Sequence, residues 1–279
     1  MIIFCASDFF SCAGKEASKD GEAGTSIKAS SGFADIQALK LYYEISGEGP
    51  ALLFLHGGLS SSADFEKNIP DFSKFYKVIA FDRRGHGKSH DNSDPFTYAA
   101  MAEETKAVLD FLRIDSAFVL GYSDGGVVEY HLASKYPAVV RKLIAVGANS
   151  RVDGMTQEAV EWTKNRLNQK NLPQDYPQVV ENYKARSPKP ENLGDFIAKT
   201  RELWLRDPYI KREELLKIQA PVLFVIGDKD GIKVEHVLEM CALVKNSQLC
   251  ILPNASHFLL SEKPEIINPI ILEFLKEKS

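Results

Sequence analysis

The segment of this chain best suited to chemistry is Gly121-Tyr122-Ser123-Asp124-Gly125. It follows an apolar run of strand length, Ala117–Leu120, and precedes a helix-like stretch from Gly126 to Tyr136. A Gly-x-Ser-x-Gly match alone is a weak signal. Between a strand and a helix it describes a sharp turn that holds the serine in a strained backbone conformation, with glycines on either side allowing close approach of neighbouring chain. The helix N-terminus beneath the hydroxyl then favours negative charge. The bland alternative is a glycine-rich turn of no consequence.

A serine hydroxyl needs a base. The histidines are His56, His86, His90, His131, His236 and His257. On a strand-to-helix serine turn the chain order is serine, acid, histidine, which leaves His236 and His257. His236 opens the helical segment Val234–Val244, where a surface histidine is expected; His257 lies in a loop just beyond the strand-like Leu249–Leu252. Loops at the carboxyl ends of parallel strands converge over one crevice, so His257 is the expected base. The acid should come from Gly227-Asp228-Lys229-Asp230-Gly231, which follows the apolar run Val222–Ile226. Asp230, further into the loop, is better placed to orient the imidazole, while Asp228 holds the turn. An oxyanion needs two N–H donors. One is the backbone of Asp124. The other comes from His56-Gly57-Gly58-Leu59, with Gly58 preferred and Leu59 the runner-up. His56 reads as a turn-stabilising residue. The charged run from Asp82 to Ser89 reads as a turn beside these loops, and it lacks the spacing of a phosphate loop.

These residues need a scaffold, and the rest of the chain supplies its pattern. Apolar runs of strand length recur at Leu41–Ile45, Ala51–Leu55, Val78–Phe81, Ala117–Leu120, Leu143–Val146, Val222–Ile226 and Leu249–Leu252. Helical periodicity fills Thr97–Ile114, Val234–Val244 and Ile266–Leu275. Such alternation predicts a mostly parallel α/β sheet covered by helices on both faces. The core is expected over residues 35–148 and 215–279. Between them, 149–214 carries no strand-like run but holds Trp162, Tyr183 and Trp204 among prolines and charges, which predicts a helical cap with those aromatics as its core or as pocket wall. Residues 1–34 read as a disordered tail or a degenerate export signal, since Ser11–Ser31 has few large apolar side chains.

Composition narrows the function classes. The 279 residues carry 34 Lys and Arg against 38 Asp and Glu, a formal net charge of −4, which gives no general attraction for nucleic acid. No apolar run is long enough to span a membrane. Cys5, Cys12, Cys241 and Cys250 lack CxxC spacing, so neither a zinc site nor a disulfide framework is expected, and the chemistry above needs no cofactor or metal. The default expectation is a cytoplasmic protein acting on a small-molecule ester; export or lipid anchoring through Cys12 is the alternative. No pattern assigns an oligomeric state.

Taken together, His56-Gly57-Gly58, Asp82 to Ser89, Gly121 to Gly125, Gly227 to Asp230 and His257, each after a strand-like run, resemble the α/β-hydrolase superfamily from about Leu39 onward. The resemblance implies Ser123 as nucleophile, Asp230 as acid, His257 as base and a cap over 149–214. Serine at the elbow disfavours the dehalogenase and epoxide hydrolase branches, which carry aspartate there. Gly-Tyr-Ser-Asp-Gly-Gly is further similar to the Gly-Trp-Ser-Asp-Gly-Gly of valacyclovir-hydrolase-like, biphenyl-hydrolase-related enzymes, from which Tyr122 departs. That likeness implies that Asp124 binds a substrate amino group. A carboxylate roughly 6 Å from a developing oxyanion repels it by about 2–3 kcal/mol at an effective dielectric of 20, which a cationic substrate offsets. The alternative is that Asp124 caps its helix and faces solvent or a cap residue. The activity so implied is hydrolysis of a carboxylic ester through an acyl-enzyme. Carbon–carbon bond hydrolysis and enol-lactone opening on the same triad are the alternatives, as is a ligand receptor on a hydrolase scaffold, which would have no need of a complete triad.

Overall fold

The computed structural model describes residues 29–36, 38–206 and 209–276. Its centre is one eight-stranded sheet. The strands are β1 (Ala29–Ile36), β2 (Leu39–Ser46), β3 (Ala51–Leu55), β4 (Lys77–Phe81), β5 (Ala117–Tyr122), β6 (Val140–Val146), β7 (Val222–Gly227) and β8 (Ser247–Leu252). Their spatial order is β1-β2-β4-β3-β5-β6-β7-β8. β1 and β2 run antiparallel to their neighbours, and every later pairing is parallel.

The central strands are apolar without interruption because both faces are covered. Alternate residues of one strand point to opposite faces. Leu53, Leu55, Val119 and Phe224 therefore enter one core cluster, and Leu52, Phe54, Leu120 and Val225 the other. Helices α1 (Tyr98–Phe111) and α2 (Asp124–Lys135) cover the first face with Met101, Val108, Val127 and Leu132. Thr97 caps α1 by accepting the Ala100 N–H, which ends the expected helix one residue inside its sequence boundary. Between β6 and β7 lie α3 (Gln157–Asn165), α4 (Pro177–Arg186) and α5 (Leu193–Trp204), with a small core of their own made by Leu167, Leu172, Val180 and Ile197. Beyond β7, α6 (Val234–Leu243) packs Val237 and Met240 on the first face. The last helix, α7 (Pro264–Leu275), closes the second with Ile267, Ile271 and Leu275. Among the described residues no helix is long and apolar enough to cross a membrane.

One expectation is corrected here. The stretch expected to be disordered up to residue 34 includes a strand from Ala29, paired residue for residue with β2. A ladder satisfies backbone groups whatever the side chains are, and small residues suit this edge. The Tyr43 ring lies across Gly32, where a Cβ would stand 2.9 Å from its hydroxyl. Ala34 and Ile36 are buried beneath. The export-signal reading, with Cys5 and Cys12, falls on residues 1–28, outside the described residues.

Candidate active site

Ser123 sits between β5 and α2 at φ 53° and ψ −117°, a conformation an L-residue rarely adopts. The surroundings enforce it. The Ser123 N–H donates to the Val146 carbonyl at 2.8 Å. Side chains on the flanking glycines have no room: a Cβ on Gly121 would lie 2.5 Å from the Gly125 carbonyl oxygen, and one on Gly125 would collide with the Leu55 carbonyl. The turn is tight because strand, helix and β3 meet there without side chains between them.

Two loops at the same edge bring the remaining groups. Asp230 follows β7 and His257 follows β8. His257 Nδ1 is 2.8 Å from Asp230 Oδ1, and His257 Nε2 is 3.0 Å from Ser123 Oγ. A carboxylate only accepts, so Nδ1 carries the proton and Nε2 is left to accept the serine hydroxyl. Asp230 Oδ1 also accepts the Ile232 N–H at 2.9 Å, fixing the carboxylate. Burial alone would lower the His257 pKa; the charge of Asp230, its hydrogen bond and the charge of Asp124 outweigh that and raise it. Asp228 turns away and accepts the Ala255 N–H at 3.1 Å, tying the two loops together.

Asp124 opens α2 and is 5% exposed. Its carboxylate accepts the Tyr98 hydroxyl at 2.9 Å and the Trp204 indole N–H at 2.9 and 3.0 Å. Gly58 lies against this group, since a Cβ there would be 2.5 Å from Asp124 Oδ2 and 2.6 Å from the Trp204 ring. Leu59, at φ 57°, packs against the small core of Leu167, Leu172, Val180 and Ile197. Among the described residues, no protein acceptor pairs with the backbone N–H of Gly58 or of Asp124. Ser123, Asp124, Gly58 and His257 all face one cavity of about 910 Å³ roofed by Trp162, Val179 and other residues between β6 and β7. The arrangement can deprotonate an alcohol beside two unpaired donors. No group of three metal-ligating side chains occurs among the described residues.

Residues 50–200 match the family of the alpha/beta hydrolase fold. The chain belongs to the α/β-hydrolase family. It is a hydrolase of that fold, and it is 30% identical over 277 residues to the serine hydrolase BPHL of Homo sapiens, covering 91% of this chain and 88% of that one. A bifunctional esterase/perhydrolase, DCH, of Acinetobacter calcoaceticus is 27% identical over 82% of this chain and 92% of its own. Among solved structures, the meta-cleavage product hydrolase CumD of Pseudomonas fluorescens IP01 superposes with a TM-score of 0.73 at 22% identity, covering 88% of this chain and 96% of that one.

Within this hydrolase, one histidine departs from expectation. His236 is not at the surface but 3% exposed, and its Nε2 accepts the Ser150 N–H at 3.0 Å. It pins the chain where it leaves β6, and Gly154 packs on its ring. Burial, followed by the charge of Arg151, lowers its pKa. Of the aromatics between β6 and β7, Tyr183 stacks on Phe196 at 4.6 Å, while Trp162 donates to Asp175. Both, with Trp204, also line the cavity. Tyr98 and Gly147 are neighbours of the site that the sequence did not single out, because both act across long separations that leave no local pattern.

Proposed function

We propose that this α/β hydrolase cleaves a small carboxylic ester through an acyl-enzyme on Ser123. His257 takes the hydroxyl proton as Ser123 Oγ attacks the carbonyl carbon, and Asp230 stabilises the imidazolium. The Gly58 and Asp124 N–H groups receive the oxyanion. His257 then protonates the departing alcohol, and a water activated by the same imidazole releases the acid and restores Ser123. The observation that carries this reading is the unbroken relay from Asp230 through His257 to Ser123, at 2.8 and 3.0 Å, beside two unpaired N–H groups. Sustained turnover of p-nitrophenyl acetate, lost in Ser123→Ala, is the expected result. Stoichiometric release that then stops would favour a binding protein on this scaffold and would overturn the reading.

Asp124 narrows the substrate. Its carboxylate is held by two neutral donors and touches no cation, with Arg83 and His257 acting on it only through space, so a positive contact is missing on its cavity side. A substrate ammonium near the acyl carbon supplies the missing charge and relieves repulsion of the oxyanion. A valyl ester should show kcat/KM at least about tenfold above its N-acetyl form, as a desolvated ion pair warrants, and Asp124→Asn should erase the difference. Equal rates on the two esters would remove Asp124 from substrate recognition.

A further inference from the structure

The loop between β3 and the first turn after it poses a conformational problem. Gly57 must lie against the serine, since a Cβ there would be 3.3 Å from Ser123 Cβ, and Gly58 must make room for Asp124 and Trp204. Two consecutive glycines meet the space requirement but leave the orientation of the peptide between them weakly specified by the backbone itself. That orientation decides the chemistry. In a trans peptide the C=O and the following N–H point in opposite directions. If the Gly57 carbonyl turned toward the cavity, the Gly58 N–H would turn away, and an acceptor would replace a donor where the oxyanion forms.

Arg83 and His56 hold that carbonyl from behind. Arg83 Nη2 donates to the Gly57 carbonyl at 2.7 Å and to the His56 carbonyl at 2.8 Å. The Arg83 backbone N–H donates to His56 Nε2 at 3.0 Å. With Nε2 accepting, the proton is on Nδ1, which donates to the same Gly57 carbonyl at 2.7 Å. One carbonyl thus receives two donors, one of them charged, from residues that do not line the cavity.

Arg83 carries an unusual cost for a structural residue. It is fully buried, Nη1 touches only the Met101 sulfur at 3.2 Å, and Nε has no partner. Its hydrogen bonds go to backbone carbonyls and to sulfur, with no carboxylate in contact. Asp124 and Glu104 act on it only through space, and burying a guanidinium with no carboxylate in contact opposes stability, so its place here calls for another explanation. We propose that Arg83 is a positioning residue for the oxyanion donor: by holding the Gly57 carbonyl it aims the Gly58 N–H at the substrate oxygen. This rests on the acyl-enzyme reading above.

The test compares wild type, Arg83→Met and Arg83→Lys, using p-nitrophenyl acetate turnover and inhibition by a phenylboronic acid that forms a tetrahedral adduct on Ser123. Loss of one oxyanion donor costs about 100- to 1,000-fold in kcat, and a misaimed donor somewhat less. Arg83→Met should therefore lower kcat by about 30- to 100-fold with KM within about threefold, and raise the boronate Ki by a similar factor. Arg83→Lys, which keeps a charged donor, should recover part of both losses. A fall in kcat with an unchanged boronate Ki would overturn the proposal, as would full activity in Arg83→Met. Should Arg83→Met fail to fold, the Gly58 amide proton answers the question in Arg83→Lys: boronate binding should move it downfield in the NMR spectrum by less than in wild type, and an equal shift in the two proteins, or none in wild type, refutes the proposal. Wild-type protein that neither turns over the ester nor forms the adduct would instead refute the acyl-enzyme reading itself.

Discussion

Replacing Gly147 with alanine crowds the Asp230–His257 pair from a strand that contributes no reactive side chain. Gly147 follows β6 at φ 56°. A methyl there would stand 3.1 Å from Asp230 Oδ2, from His257 Cε1 and from His257 Nδ1. Carbon contacts are optimal at about 3.5–4.0 Å, so the imidazole must shift by a few tenths of an ångström. If about 1 Å of misplacement costs about 100-fold, that shift costs about 5- to 10-fold in kcat. The left-handed backbone adds about 1–2 kcal/mol of instability in a non-glycine residue, or about 2–8 °C in melting temperature for a chain of this size. Steady-state kinetics on p-nitrophenyl acetate and a thermal melt read the two effects separately. A lowered melting temperature with wild-type kcat would show that the methyl does not press on the pair, and the reasoning from packing to rate would fail.

The other expectations concern charge and anchoring. Asp230→Asn should lower kcat by about 10³- to 10⁴-fold by removing the partner that fixes the imidazole tautomer. Because Asp230 raises the His257 pKa, the residual activity should also persist to lower pH; an acid limb that does not move would detach Asp230 from His257. His56 and His86 are buried with pKa values well below the ordinary 6.5, through desolvation first and Arg83 next. The unfolded chain binds their protons first, so their contribution to stability is complete above about pH 6.5 and falls as pH drops, by up to about 1.4 kcal/mol per pH unit for each histidine. Burial raises the carboxyls of Asp64, to about 6, and Glu129, which act in the opposite sense. Relative to wild type, His86→Gln should therefore lose less stability between pH 7 and pH 5, and denaturant midpoints that fall equally in the two proteins would contradict this. Trp204→Phe removes the indole donor to Asp124 and should cost about 1–3 kcal/mol of stability, since it leaves a buried acceptor short of a partner. An unchanged melting temperature would show that this bond anchors nothing.

Much of the architecture is legible in the sequence because the physics is local. Strands buried on both faces read as apolar runs, the loops after β5 and β7 are marked by glycines and carboxylates, and the convergence of residues 123, 230 and 257 at one edge follows from the parallel strands that precede them. Choosing between Asp228 and Asp230 needs only their distance from the strand end; in the structure Asp230 meets His257 and Asp228 meets the Ala255 N–H. What escapes is whatever depends on a distant partner. β1 has a weak apolar signature, and its order comes from pairing with β2. His236 sits on a helix face that would be exposed but for the chain leaving β6, which covers it. The clamp of Arg83 on the Gly57 carbonyl joins loops after two different strands, and a charged run gives no sign that both of its arginines are fully buried.

The most direct test of the proposed chemistry is to treat the protein with a fluorophosphonate and map the adduct by peptide mass spectrometry. The expected result is one modified residue, Ser123, labelled faster as pH rises through the His257 titration and not at all in Ser123→Ala. Labelling that survives this substitution, or maps to another residue, would contradict the assignment.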